Sequence, residues 1–370
     1  MAALRVLLSG GGTGGHIYPA LAIAAAIKEL APDTEFLFVG AEGKMEMRRI
    51  PAAGYKIVGL PVAGFHRSLD VRNFSFPFKL LRSLGKARRT VKEFAPDVAI
   101  GTGGYASGPA LAAASIAGVS VFLQEQNALA GVTNRLLGRI AKAVFVAYPE
   151  AITYFASAKT VHSGNPLRSS LIADNLTDKV VGRVHFGLDP NKPTLLSFGG
   201  SLGARKMNEA FVEMHSFWKT HQELQVIWQT GEGYFSRFSE SETAQLPNVK
   251  CVPYLERMDL AYAAADLVAC RAGALSISEL QLLGKPSLLI PSPNVSGDHQ
   301  TANAKAVERT GAAVLIPDNQ QVEKLTATLS QLLGDPNALA RMSKAAVDSA
   351  KPDAAQHIAK YILDYVSRKS

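Results

Sequence analysis

Six consecutive residues, Gly10, Gly11, Gly12, Thr13, Gly14 and Gly15, hold five glycines and run directly into His16. A backbone without side chains lets amide N–H groups close on an anion. A helix starting immediately behind adds its positive end, worth about 0.3 to 1 kcal/mol when exposed. The same arrangement recurs in "GTGGYASGP" at 101–109 and "FGGSLGA" at 198–204. In the second loop Ser107 is placed to cap the following helix, and Pro109 suits its first turn. A single loop of this kind is equally well explained by tight strand-to-helix packing. Three of them, two in the first half of the chain and one in the second, point to two phosphate-bearing ligands held by different halves. His16 falls at a helix start, where the dipole disfavours protonation. It is either a neutral general base or a capping histidine.

Three further polar clusters accompany the loops. Glu125 stands among Gln124, Gln126 and Asn127 in "QEQNALAGVTN", either as a site carboxylate or as the centre of a helix N-cap network. Glu279 in "CRAGALSISELQLLGKP" either accepts the two hydroxyls of a ribose or complements a helix dipole. In "SGDHQTANA" Asp298 is a candidate cap that presents His299 and Gln300 at a helix start. The sequence contains no Asp-x-Asp and no cluster with metal-ligand spacing, so neither metal nor cofactor is expected. Charge on a departing phosphate then falls to amides, helix ends, and Arg168 or Arg205. A G-x-G-x-x-G match at Gly10, Gly12 and Gly15, with Glu42 as the ribose acid, raises a dinucleotide oxidoreductase. A polyglycine run satisfies almost any glycine pattern, however, and the loop at 198–204 does not fit that fingerprint.

Apolar runs set the elements that must carry these groups. "RVLLSG" and "PTLLSF" open two similar halves, Leu195-Leu196-Ser197 echoing Leu7-Leu8-Ser9, and each leads into a glycine loop and a helix. "TEFLFVG", "DVAIG", "VSVFLQ" and "AVFVA" follow in the first half; "LQVIWQT", "NVKCVPY", "LVACR", "PSLLIP" and "AAVLI" follow in the second. Alternation with helical segments predicts an α/β protein with one parallel sheet per half, its ligands beyond the carboxyl ends of the strands.

The bulk numbers agree with two globular domains: 370 residues, 47% hydrophobic and 19% charged. Two cysteines, Cys251 and Cys270, are too few for a disulfide framework. The charge-free stretch 101–123 is long enough to span a bilayer, yet its five glycines and one proline read as strand, loop and helix. The net charge of +8 is concentrated: eight Lys or Arg face one Asp between Phe65 and Lys92, leaving 31 basic and 30 acidic residues elsewhere. A local basic patch fits an anionic surface better than it fits nucleic acid, which is not an expected partner.

"GGGTGGHIYPALA", "GTGGYASGPA", "EQNALAGVTN", "GNPLR", "GGSLGA", "CRAGALSISEL" and "DHQTANA" occur in this order over essentially the whole chain. In these motifs the sequence resembles glycosyltransferase family 28, and within it the enzymes of lipid-linked peptidoglycan precursor synthesis. The resemblance implies a GT-B fold, two Rossmann-like parallel-sheet domains facing across a cleft. It implies inverting transfer of N-acetylglucosamine (GlcNAc) from UDP-GlcNAc to the C4 hydroxyl of undecaprenyl-diphospho-muramoyl-pentapeptide, for cell-wall biogenesis, at the cytoplasmic face of the bacterial membrane.

By position, His16 would be the base, with Glu125 the other candidate. Thr13, Gly14 and Gly15 would touch the donor, and Asn127 would lie near the sugar. Arg168 and Ser201 would lie by the nucleotide and its phosphate, and Leu255 by the uracil. Ala274, Leu275, Ser276, Ile277, Ser278 and Glu279 would run along the nucleotide, with Glu279 on the ribose and Gln300 on sugar hydroxyls. Gly103, Gly104, Tyr105 and Ser107 would hold the acceptor diphosphate. Two positions depart from the family pattern: Gln124 where a His often stands, and Leu202 where a Gln often stands. The expected division is 1–164 for the acceptor and membrane, 165–345 for UDP-GlcNAc, and a helix at 346–370 that packs back on the first domain.

After Pro77, Leu80, Leu84, Ala87, Val91 and Phe94 form a helical stripe that should be core, leaving Phe78 and Leu81 beside Arg82, Lys86 and Arg89. With "NFSFPF" before them, these residues either dip into an anionic membrane surface or form a solvated basic face. Two other readings keep the same architecture: a UDP-GlcNAc 2-epimerase, and a non-catalytic nucleotide-sugar-binding subunit.

Overall fold

The computed structural model describes residues 3–62, 76–156, 159–168, 178–294, 296–335 and 337–369. It divides into two compact units, the first comprising 1–169 with 351–370 and the second 170–350.

In unit 1 the strands are β1 (Arg5–Gly10), β2 (Glu35–Ala41), β3 (Lys56–Leu60), β4 (Val98–Gly103), β5 (Ser120–Glu125), β6 (Ala143–Val146) and β7 (Thr160–His162). They form one parallel sheet in the order β3-β2-β1-β4-β5-β6-β7. Unit 2 contains β8 (Thr194–Phe198), β9 (Gln225–Gln229), β10 (Val249–Val252), β11 (Leu267–Cys270), β12 (Ser287–Leu289) and β13 (Ala313–Leu315), again parallel, in the order β10-β9-β8-β11-β12-β13. Every apolar run quoted above is a strand. The strand order reverses beside β1 and β4 in unit 1 and beside β8 and β11 in unit 2, the crevices where α/β sheets take ligands. The glycine loops leave from those strands.

The strand-period pattern explains the two cores of unit 1. Val6 and Leu8 point to one face of the sheet, where α1 (Gly14–Leu30) packs with Ile17, Ile23 and Ile27. Leu7 points to the other face, with Ala87 and Val91 of α3 (Phe76–Phe94) and Leu111 of α4 (Ser107–Ile116). The helix Ala354–Lys369 joins the α1 face: Tyr361 meets Phe145 edge-on at 5.2 Å and Tyr365 meets Phe122 at 5.2 Å. Fully burying an apolar side chain such as Ile23 or Leu111 contributes about 1.5 to 3 kcal/mol.

Three details differ from the sequence expectations. The C-terminal segment is two helices, Ala338–Ser349 in unit 2 and Ala354–Lys369 in unit 1. Pro352 lies in the break, where its ring and its missing N–H oppose a continuous helix. The strands β3 and β7 had no counterpart among the quoted runs. Both are edge strands, only partly buried, so they lack the continuous apolar signature of the central ones. Asp298 adopts φ +57° and makes no capping bond to a backbone amide; its carboxylate accepts from Thr301 Oγ1 at 2.6 Å. No helix among the described residues is long and apolar enough to cross a membrane.

Candidate active site

Three of the five glycines of the first loop, Gly10, Gly11 and Gly12, are required, for different reasons. A Cβ on Gly10 would overlap Thr102 Oγ1, and one on Gly11 would fall 2.2 Å from Glu46 Oε1. These two positions are closed by the protein's own packing. Gly12 has φ +86° with open space where a side chain would stand, and a Cβ on Gly15 would meet only Thr13 Oγ1 at 3.5 Å. The loop therefore has open space at Gly12 and room at Gly15, whereas a Cβ on Gly14 between them would come 3.1 Å from the Tyr18 ring. The N–H groups of Gly14 and Gly15 head α1, where no intrahelical carbonyl is available to them. Thr13 is exposed and occupies the N-cap position in extended backbone.

His16 is the third residue of α1 and is half-buried. Its Nδ1 lies 3.0 Å from the carbonyl oxygen of Gly11 and 3.4 Å from Thr13 Oγ1. A carbonyl can only accept, so Nδ1 carries the proton and, in the neutral ring, Nε2 carries the lone pair. The ring edge at Nε2 lies against Gly103, whose Cβ would come within 3.0 Å of it. This is the tautomer that a general base acting through Nε2 needs.

The second loop of unit 1 packs on the first. Gly11 N donates to Gly103 O at 3.3 Å, and a Cβ on Gly104, at φ +89°, would lie 2.3 Å from Gly11 O. Gly104 is thus required by backbone-to-backbone contact. Ser107 is not the cap expected of it: Ala106 holds the N-cap position, and Ser107 is fully buried, its hydroxyl facing the carbonyl oxygens of Ser9 and Gly103 at 2.8 Å each. Its side chain cannot reach a diphosphate. Tyr105 is half exposed.

Glu125, the other candidate base, is held by the protein's own donors. Only 2% exposed, its carboxylate accepts from Asn127 N at 3.0 Å, Asn127 Nδ2 at 3.3 Å, Gly131 N at 3.0 Å and Asn134 Nδ2 at 3.0 Å. It closes the loop 125–131 and seats the first turn of α5 (Val132–Leu137), the N-cap network that was the alternative. Gln124, where the family often has His, is fully buried and donates to Asn165 Oδ1 at 3.0 Å. Asn127 is part-buried at the mouth of this loop. The guanidinium of Arg168 lies over the Tyr18 ring, 5.2 Å from its centroid, a contact within unit 1.

Unit 2 gathers its own site. A cavity of about 460 Å³ is lined by the glycine loop, by Arg205 and Lys206 at the start of the helix Arg205–Glu213, and by Arg271, Ser276 and Gln300. Gly200, at φ +88°, has open space around it, whereas a Cβ on Gly203 would strike Thr230 O. Ser201 and Leu202 are exposed at the loop tip, Leu202 at 83%. Arg271 donates to Asp318 Oδ1 at 2.6 Å and Lys206 pairs with the other oxygen at 3.1 Å. Gln300 Oε1 accepts from Ser292 N at 2.8 Å.

Glu279 lies in the second turn of the helix Ala274–Leu282, half-buried, with Tyr262 OH donating to its Oε2 at 2.9 Å. At that depth the helix dipole has faded, so complementing the dipole does not account for it. Leu275, Ser276 and Ser278 are half-buried, while Ala274, Ile277 and Leu255 are buried and can offer a ligand little beyond backbone. Lys206, Arg271 and Asp318 were not singled out from the sequence. Two cations at a helix start oppose the dipole, and that anomaly at Arg205 and Lys206 is the signal that could have found the cavity.

On α3, Ala87 and Val91 are buried and Leu80, Leu84 and Phe94 partly so, whereas Phe78 is 72% and Leu81 67% exposed. Arg82 is exposed. Lys86 pairs with Glu42 at 2.8 Å and Arg89 with Glu93 at 2.7 Å, so two of the three expected headgroup cations already have carboxylate partners. The same pair engages Glu42, the ribose acid of the oxidoreductase alternative. Residues 63–75, which include the first half of "NFSFPF" and the start of the basic segment, lie outside the described residues.

The N-terminal domain of glycosyltransferase family 28 matches residues 6–146 and its C-terminal domain matches residues 194–358. The chain belongs to glycosyltransferase family 28. A Bacteroides thetaiotaomicron relative, named UDP-N-acetylglucosamine--N-acetylmuramyl-(pentapeptide) pyrophosphoryl-undecaprenol N-acetylglucosamine transferase, is 47% identical over 97% of both chains. A Parabacteroides distasonis protein of the same name is 47% identical over 99% of both. Among solved structures, Acinetobacter baumannii MurG superposes with a TM-score of 0.76 at 29% identity, covering 98% of this chain and 99% of that one. The UDP-GlcNAc 2-epimerase of Neisseria meningitidis superposes with a TM-score of 0.70 at 14% identity, over 98% of this chain and all of that one, and shares the fold alone. As a member of family 28 the chain is a glycosyltransferase, with an α/β fold of two parallel-sheet units.

Proposed function

We propose that this chain is an inverting transferase that moves GlcNAc from UDP-GlcNAc to the C4 hydroxyl of undecaprenyl-diphospho-MurNAc-pentapeptide, as a peripheral protein on the cytoplasmic face of the bacterial membrane. The observation that carries this is His16, whose Nδ1 proton is committed to Gly11 O so that Nε2 holds the lone pair beside an open glycine loop.

Nε2 takes the proton of the C4 hydroxyl as its oxygen attacks the anomeric carbon, and the bond from that carbon to the UDP oxygen breaks in the same displacement. One displacement inverts the centre. General-base assistance of this kind contributes about 10²- to 10⁴-fold. Charge on the departing diphosphate is met by the amides around Gly200, fixed groups that need no reorganisation at the moment of reaction, and by Arg205 and Lys206, which turn to it from Glu209 and Asp318. Glu279 accepts the ribose hydroxyls, Ser276 and Gln300 line the donor, and the acceptor diphosphate lies at the amides of Gly103 and Gly104. Phe78 and Leu81, with Arg82, meet the membrane that carries the acceptor.

The test is the linkage in the product. Incubation with UDP-α-GlcNAc and the lipid-linked acceptor should give a β-1,4 disaccharide by NMR; an α linkage, or conversion of UDP-GlcNAc without acceptor, would overturn the proposal.

A further inference from the structure

Glu46 opens α2 (Glu46–Ala52), directly beneath the first glycine loop, and is fully buried without an ion pair among the described residues. Its Oε1 accepts from Ala41 N at 3.0 Å and its Oε2 from Gly12 N at 2.9 Å. Two glycines make room for it, since a Cβ on Gly11 would fall 2.2 Å from Oε1 and one on Gly40 2.6 Å from Cγ. The loop is built around this carboxylate, which takes up the amide of Gly12.

The N–H of Gly12 and the carbonyl of Gly11 belong to one planar peptide group. Glu46 holds the N–H end, and the carbonyl end receives Nδ1–H of His16 at 3.0 Å. We propose that Glu46 is a positioning residue for His16: through the Gly11–Gly12 peptide it fixes the ring and its Nδ1–H tautomer. A carboxylate on the N–H end polarises the peptide and makes its carbonyl a stronger acceptor, as chained hydrogen bonds do. The arrangement places one peptide between carboxylate and imidazole, where hydrolytic triads use direct contact. The titratable groups facing the ring are Glu46, across the peptide, and Glu125, reached through Asn134, whose Nδ2 would lie 3.7 Å from a Cβ on Gly103. Thr13 and Gly103, which also lie against the ring, do not titrate.

This rests on His16 being the base of the proposed transfer, and the test separates the two claims. Glu46→Gln keeps size but sets an NH₂ against a backbone N–H and removes the charge. In the full chain, kcat should fall at least about tenfold, the scale of a misplaced catalytic group, with the KM for UDP-GlcNAc nearly unchanged. Loss of a partner that favours imidazolium lowers the His16 pKa. The acidic limb of the kcat profile, where the base becomes protonated, should therefore move to lower pH, and Glu46→Asp should recover part of that shift. An unmoved limb with normal kcat overturns the proposal. So does a fall in kcat accompanied only by lower thermal stability. ¹⁵N NMR of wild-type His16 decides the matter even if Glu46→Gln does not fold: Nδ1–H is expected, and Nε2–H overturns it. If wild-type protein transfers no sugar, the function proposed above fails while the tautomer still tests Glu46.

Discussion

Gly103 and His16 are fitted to each other: a Cβ on Gly103 would lie 2.9 Å from the ring Cδ2 and 3.0 Å from Nε2, and Gly103 itself has φ +103°. The end of β4 and the first turn of α1 therefore meet at the ring atom that accepts a proton in the proposed transfer. Gly103→Ala should displace the imidazole as well as strain the backbone. A shift of this size can cost about 100-fold, so kcat should fall on that scale while UDP binding, proposed for the cavity of unit 2, is retained. Steady-state kinetics with a calorimetric UDP titration check both halves of the expectation.

His16→Ala removes the base without touching the donor cavity. Turnover should fall by about 10²- to 10⁴-fold, and the KM for UDP-GlcNAc should stay within a factor of about two, because KM reports uniform binding. Near-normal turnover would remove His16 from the mechanism.

Glu279→Ala acts on the other substrate. Losing hydrogen bonds to a charged group costs about 1.5 to 3 kcal/mol, so the KM for UDP-GlcNAc should rise by about tenfold or more, with kcat less affected. Tyr262→Phe, which removes only the hydroxyl that orients Glu279, should produce the same trend in smaller measure. An unchanged donor KM in Glu279→Ala would exclude the ribose contact.

Lys285 gives a pH-dependent stability signature away from the site. Burial, reinforced by Lys179, pushes its amine down to about 8 from an ordinary value of 10.5, while its Nζ donates to Ala265 O at 2.8 Å. Between those values the unfolded chain binds the extra proton, so this residue makes the fold more stable as pH rises, by about 3 kcal/mol at most. Below pH 8 the charged amine is a burden. Lys285→Met should therefore be most stabilising, relative to wild type, near neutral pH and lose that advantage by pH 10.5. Thermal melts of both proteins across that range give the comparison, and a difference independent of pH would contradict it.

Membrane contact through α3 is testable on vesicles. Each cation near an anionic surface contributes about 1 kcal/mol, so binding to anionic vesicles should weaken with salt, and should weaken further in Phe78→Ser with Leu81→Ser. Indifference to both would make this a solvated basic face.

The sequence was most legible where burial is complete. Central strands such as Leu7-Leu8 and Leu195-Leu196 are covered on both faces, so they read as unbroken apolar runs. The edge strands β3 and β7 are half-exposed and mix polar residues into short runs. Glycine content located the loops but could not explain them, because the reasons lie on distant segments: Thr102 against Gly10, Glu46 against Gly11, Thr230 against Gly203. The same limit applies to Glu125 and Ser107. Whether a polar side chain faces a ligand or the protein's own amides depends on loop closure, which residue type and spacing leave open. Sequence does not mark Glu46, because a lone acid at a helix start is ordinary; only the fold brings it under Gly12.

The most direct measurement is UDP release by the purified chain, followed together with disaccharide formation, with the lipid-linked acceptor present and absent. One UDP per disaccharide is expected, only when acceptor is present, and with the rate collapsing in His16→Ala. UDP release that ignores the acceptor, or a His16→Ala protein that turns over like wild type, would contradict an acceptor-dependent displacement driven by His16.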